Sequence, residues 1–173
     1  MLDKNINYST FWDKSNLHND AERAREEERY DESLDLIEKA IDEYKREKNY
    51  KGIVGAIQTR CLIYKHLYLL HKNKEDLKST KKDVDECLIL CEKYNLINII
   101  FSCYFRRGEL AILINDYKEA VVNYKKALEN YQGTKCEKGD YRYHLGEALY
   151  KSGEKEVGLK EIFAGLKEIQ ENK

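Results

Sequence analysis

The chain is predicted to be all-α, a stack of helix–turn–helix pairs, and three observations carry that prediction. Proline is absent from all 173 residues, which removes the residue that most strongly interrupts helices. Small or aromatic residues recur at a spacing of four and then three, as at Ala120, Tyr124 and Ala127, and that spacing puts them on one helical face. The same spacing returns at Ser33, Ile37 and Ala40, at Thr80, Val84 and Cys87, and at Gly158, Ile162 and Gly165. One helix pair cannot bury both of its apolar faces alone, so each copy calls for neighbours of its own kind.

The clearest copy is YFRRGELAILINDYKEAVVNYKKALENY, residues 104–131. It reads as two helices joined by a tight turn at Asn115-Asp116. Gly108 and Ala111 lie three apart on the first helix, so two backbones can approach where the helices cross. The block resembles a tetratricopeptide repeat (TPR): Tyr104 stands where that family has its aromatic, Gly108 where it has its glycine, and Ala120, Tyr124 and Ala127 lie on the second helix. Two positions depart from the pattern, Arg107 where a leucine is usual and no proline closing the unit. The resemblance implies eight helices in four antiparallel pairs, wound as a right-handed α-α superhelix. The equivalent residues Ala40, Cys87, Ala127 and Gly165 are separated by 47, 40 and 38 positions, longer than the family's repeat of about 34.

In chain order, the reading is a single domain over 1–173, with an N-terminal extension at 1–12 and approximate repeats at 13–46, 50–94, 95–131 and 138–171. The extension is polar with Phe11-Trp12 embedded. Leu17, Ala21 and Ala24 then recur at helical spacing, EEER (26–29) interrupts, and a helix from about Asp31 turns Ser33, Leu34, Ile37, Ala40, Ile41 and Tyr44 inward. REKNYKG (46–52) breaks the pattern before the most apolar helix, Tyr50 to His71, whose inward candidates are Ile53, Ala56, Ile57, Cys61, Tyr64, Leu67, Tyr68 and Leu70. KNKE (72–75) turns the chain into a helix from Glu75 to Tyr94, with Leu77, Thr80, Val84, Cys87, Leu88 and Cys91 inward. Asn95 is placed to cap the first helix of the third block. QGTKCEKGD (132–140), with two glycines and no apolar run, reads as a loop. In the last block Gly153 supplies a left-handed turn. Gly146, Gly158 and Gly165 each cost roughly 0.5–1 kcal/mol in a helix interior relative to alanine, a cost that close helix approach offsets.

Composition excludes several function classes. Lys plus Arg (31) nearly cancels Asp plus Glu (32), so no global field favours nucleic acid or an acidic membrane. No window approaches eighteen uninterrupted apolar residues, and MLDKNINYSTFW has no apolar signal core. Five cysteines without a regular framework fit a reducing compartment. A soluble cytoplasmic protein is expected. Cys87 and Cys91 lie one turn apart, but no CxxC or paired-histidine motif supplies two further zinc ligands, so they read as small core residues, as do Cys61, Cys103 and Cys136 unless exposed. His18, His66, His71 and His144 fall in three different repeats, and no local nucleophile pair or phosphate loop accompanies them. No metal, cofactor or enzymatic activity is expected. Lys74, Lys78, Lys81 and Lys82 form a small basic patch diluted by Asp83, Asp85 and Glu86; a solvated face explains it as well as nucleic-acid contact does.

The resemblance further implies a concave wall lined by the first helix of each pair. The wall positions are Ser102, Phe105, Arg106, Glu109 and Leu113 in the third block, and Asp140, Tyr143, Glu147 and Tyr150 in the fourth. Arg60, Tyr64 and Lys65 are the candidates in the second. Aromatics mixed with charges suit an extended or helical peptide, because rings supply contact area and arginine grips carboxylates. The competing reading for Phe105, Tyr64 and Tyr143 is core between repeats. His18 and Glu22 stand where TPR domains that bind acidic chaperone tails need lysine and asparagine, and only Arg106 fills its slot, which disfavours that activity. A non-catalytic protein-binding scaffold or adaptor is the expectation. The alternatives are a small TPR chaperone like those of type III secretion, or a peptide-sensing regulator. The terminal helix, Glu156 to Glu171, is apolar over more than one stripe (Val157, Leu159, Ile162, Phe163, Leu166, Ile169), which marks a homodimer contact, a docking surface for a larger complex, or an ordinary cap.

Overall fold

A computed structural model describes residues 14–172. The N-terminal extension, with Phe11-Trp12, lies outside the described residues. Those residues form eight α-helices and no strand: α1 (Asn16–Glu26), α2 (Tyr30–Arg46), α3 (Tyr50–His71), α4 (Lys74–Lys93), α5 (Ile100–Leu113), α6 (Tyr117–Glu129), α7 (Lys135–Ser152) and α8 (Lys155–Glu171). They divide after Leu96 into two compact units, unit A with α1–α4 and unit B with α5–α8.

Local chemistry sets the ends of the helices. Asn49, Asn73, Asp116 and Thr134 each accept a hydrogen bond from a backbone N–H of the first turn they precede, at 2.8, 3.0, 3.0 and 3.2 Å, satisfying donors that have no partner inside the helix. Glu28, Lys48, Lys72, Asn115 and Gly153 take positive φ in the tight turns between successive helices. The helices then run back against one another with their small residues at the crossings.

In unit A, α2 packs on both α1 and α3, and α3 packs on α4. Its core holds Ala21, Ala24, Ile37, Ala40, Ile41, Tyr44, Ile53, Ala56, Ile57, Cys61, Val84, Cys87 and Cys91. The cysteines are free thiols; Cys87 Sγ lies 3.7 Å from the Val54 carbonyl and Cys61 Sγ 3.9 Å from that of Thr80. Among the described residues no group of three His, Cys, Asp or Glu side chains is arranged to hold a metal ion. In unit B, α6 packs on α5 and α7, and α7 on α8, around Phe101, Phe105, Ala111, Ala120, Tyr124, Ala127, Tyr141, Leu145 and Leu149. α7 and α8 approach most closely. A Cβ at Gly139 would stand 2.6 Å from the Gly165 carbonyl oxygen, and one at Gly146 2.6 Å from that of Gly158.

Three sequence expectations need correction. Only 132–134 of the stretch 132–140 is a loop, because α7 begins at Lys135 under a Thr134 cap; Gly139 is a packing residue of the helix, where the side chain is missing to admit α8. Asn95 does not cap the third block. It takes φ 53° just after α4, and α5 begins at Ile100. Leu70 points outward, since the last turn of α3 runs past the cover its neighbours provide.

Candidate partner-binding face

In unit A the three candidates on α3 are Arg60, Tyr64 and Lys65, of which Lys65 is half-buried. Arg60 sits between α2 and α4, with Nη2 2.6 Å and Nε 3.0 Å from the Asp83 carboxylate and Nη1 2.7 Å from Glu38. The fork is engaged inside the unit, where it ties three helices together. Tyr64 lies one turn further along and is half-buried. Beside them is a hydrogen-bonded chain the sequence did not reveal. Ser15 N–H donates to the Tyr44 hydroxyl at 2.7 Å, which lies 3.3 Å from His18 Nδ1; His18 Nε2 lies 3.0 Å from Thr59 Oγ1, which donates to Glu22 at 3.2 Å. Every member is satisfied if His18 is neutral with its proton on Nε2. His18 is 1% exposed, and burial holds its pKa down at about 4 despite the Glu22 carboxylate nearby. Burial opposes the charge on Glu22 too, but Lys14, 2.5 Å away, outweighs it and holds that carboxyl below its usual range.

Unit B gathers the other candidates on α5 and α7. Ser102 donates to the Ile99 carbonyl at 2.7 Å and serves the start of α5. Phe105 is a core residue: 5% exposed, stacked on Tyr141 at 4.1 Å and near the edge of His144 at 5.2 Å. Its ring has no face left for a partner. Arg106 lies over the Phe105 ring, its guanidinium carbon 5.6 Å from the centroid, and is ion-paired with Glu109. Along α7, Asp140, Tyr143, Glu147 and Tyr150 follow one another at three- and four-residue intervals, one row on the helix surface. Asp140 is buried at the inner end of the row, Tyr143 and Glu147 are half-buried, and Tyr150 is 42% exposed.

His144 is the residue the sequence reading passed over. Its Nε2 lies 3.8 Å from Asp140 and its Nδ1 3.6 Å from Glu147, and Tyr143 meets it edge-on at 5.7 Å. Burial of the ring opposes its charge, but the neighbouring carboxylates of Glu147, Asp140 and Glu109 outweigh burial and raise its pKa. Glu147 is lowered in turn, chiefly by the His144 imidazole beside it. The signal was local: Asp140, His144 and Glu147 stand four and three apart, so a helix places both carboxylates beside the imidazole.

The face therefore carries two tyrosines, a half-exposed arginine and a carboxylate–histidine cluster. It supplies contact area and alternating charge, which suits recognition of a chain segment.

No family model matches the chain, and no curated protein matches it. Among solved structures, the crystal structure of BtubC (BKLC) from P. vanneervenii is similar, with a TM-score of 0.72 at 14% identity over 90% of this chain. The match spans 62% of the BtubC chain. At that identity the likeness is one of fold.

Proposed function

We propose that the chain is a non-catalytic, TPR-like protein-interaction scaffold of the cytoplasm, its four pairs continuing the right-handed α-α superhelix that the sequence resemblance implies. The partner is a peptide or protein segment held on the first-helix side of unit B. The observation that carries this reading is the α7 row, where Tyr143 and Tyr150 flank Glu147, together with Arg106 of α5 lying over the Phe105 ring. Their polar tips stay within reach of solvent while Phe105 and Tyr141 fill the core beneath. Aromatic and arginine anchors of this sort dominate binding energy at interfaces. The distant fold likeness to BtubC is compatible with it and adds nothing on partners.

The test is an affinity pull-down from native lysate read by mass spectrometry, comparing the wild type with an Arg106→Glu, Tyr143→Ala, Tyr150→Ala variant of unchanged helicity. The expected result is a partner held by the wild type and lost by the variant. A partner held equally by both overturns the α7 reading.

One observation favours a second reading, docking through α8. Phe163 is 67% exposed, and the equivalent positions of α2, α4 and α6 are charged: Glu38, Asp85 and Lys125. A Phe163→Glu variant that alone loses the partner, or converts a homodimer to a monomer, selects this reading.

A further inference from the structure

The start of α3 and the end of α4 meet because the two helices run antiparallel, and each contributes a tyrosine to the meeting point. Tyr50 is the first residue of α3 and Tyr94 immediately follows α4. Their rings stack with centroids 3.5 Å apart and planes 10° from parallel, and both rings are partly open to solvent. The rings lie face to face, and the neighbouring Tyr94 phenol pushes the Tyr50 pKa up. The Lys93 ammonium sits over the Tyr94 ring, 5.2 Å from its centroid.

This geometry matches one reaction. Two phenoxyl radicals couple through π-faces, with the new bond rising out of both ring planes, so a face-to-face contact at about 3–3.5 Å is a near-attack arrangement. The other phenol contacts of the described residues lack it. Tyr131 and Tyr141 meet edge-on at 64°, and Tyr141 stacks on Phe105, which has no hydroxyl, inside the core.

We propose that Tyr50 and Tyr94 are an oxidative cross-linking site, joined as dityrosine by a one-electron oxidant such as a haem peroxidase using hydrogen peroxide. Each phenol gives up one electron and one proton to become a phenoxyl radical. The radicals form one carbon–carbon bond between ortho positions, and each coupled carbon then loses its hydrogen as its oxygen regains one, restoring both aromatic rings. The pair loses two hydrogens in all, and one hydrogen peroxide is reduced to two waters. The bond closes the α3–α4 pair covalently at the open end of its helices. It restricts the unfolded chain over the residues between 50 and 94 in the way any long cross-link does.

The test treats the purified chain with a haem peroxidase and limiting hydrogen peroxide. The readouts are dityrosine fluorescence and mass spectrometry of tryptic peptides. The expected product is an intrachain Tyr50–Tyr94 peptide pair, two hydrogens lighter than the sum, with a yield independent of protein concentration. Tyr50→Phe and Tyr94→Phe keep a ring in the stack, and each lowers the yield by at least roughly tenfold, since near-attack positioning is worth that or more. Tyr104→Phe leaves it unchanged. Unfolding the chain in urea before oxidation abolishes the selectivity. Cross-links scattered over other tyrosines, a purely intermolecular product, or an undiminished yield in Tyr50→Phe overturns the proposal.

Discussion

Unit A and unit B each contain a histidine ringed by aromatic and acidic side chains, and their surroundings shift the two in opposite directions. His18 is enclosed, its two nitrogens committed to Tyr44 and Thr59, and it is neutral. His144 keeps 29% of its side chain exposed between two carboxylates, and although burial opposes its charge, those carboxylates outweigh burial and raise its pKa. The first arrangement ties α1 to α2 and α3. The second belongs to the α7 row, whose Tyr143, Glu147 and Tyr150 are half-buried or exposed. Burial with every hydrogen bond satisfied marks structure; partial exposure with surplus carboxylate marks the candidate site.

The largest way to separate the units is acid. The unfolded imidazole of His18 titrates near 6.5 and the folded one near 4, so between those values the unfolded chain binds a proton that the folded chain refuses. Unit A therefore loses stability as pH falls from 6.5 to 4, by about 3 kcal/mol in total. The lowered Glu22 acts in the same direction further down, its contribution being present above its ordinary range and lost as pH falls through the folded value. His144 has the reverse sign: its raised pKa stabilises unit B fully below 6.5, and that contribution disappears as pH rises through the folded value. Hydrogen exchange measured in each unit between pH 4 and 8, corrected for intrinsic rates, should show unit A opening first in acid. Equal acid lability in both units contradicts the assignment.

A smaller effect breaks only unit B. Gly146→Ala puts a methyl against the Gly158 backbone, which cannot give way without separating α7 from α8. A loss of about 2 kcal/mol is expected in denaturant titration, with exchange in α1–α4 unchanged. Below that comes Asn115→Ala in the α5–α6 turn, at φ 61°, where losing a residue suited to the left-handed region costs about 1 kcal/mol; Asn115→Gly should cost less. Smallest is His144→Gln, expected to cost well under 1 kcal/mol at pH 6 because the cluster is partly solvated, and less still at pH 8. A cost that grows with pH would reverse the sign assigned to His144.

The helices were legible because the four-then-three spacing survives in every pair: Ser33, Thr80, Ala120 and Gly158 all sit at crossings and all are buried. Less legible was anything decided by a distant partner. Gly139 looked like a loop residue because nothing near it in sequence shows α8 lying against it. Phe105 and Tyr143 look alike in sequence, yet Tyr141 takes up the first ring and leaves the second at the surface. The His18 chain depends on Thr59, 41 residues away, which no local pattern exposes. The cluster around His144 was within reach of helical spacing alone.

The most direct test of the partner-binding claim is hydrogen exchange of the chain with and without its captured partner, resolved to peptides. New protection across residues 100–113 and 135–152, with the α8 segment 155–171 unchanged, is the result expected for recognition along α5 and α7. Protection confined to 155–171, with α7 exchanging as in the free protein, would contradict it and give the binding surface to the terminal helix.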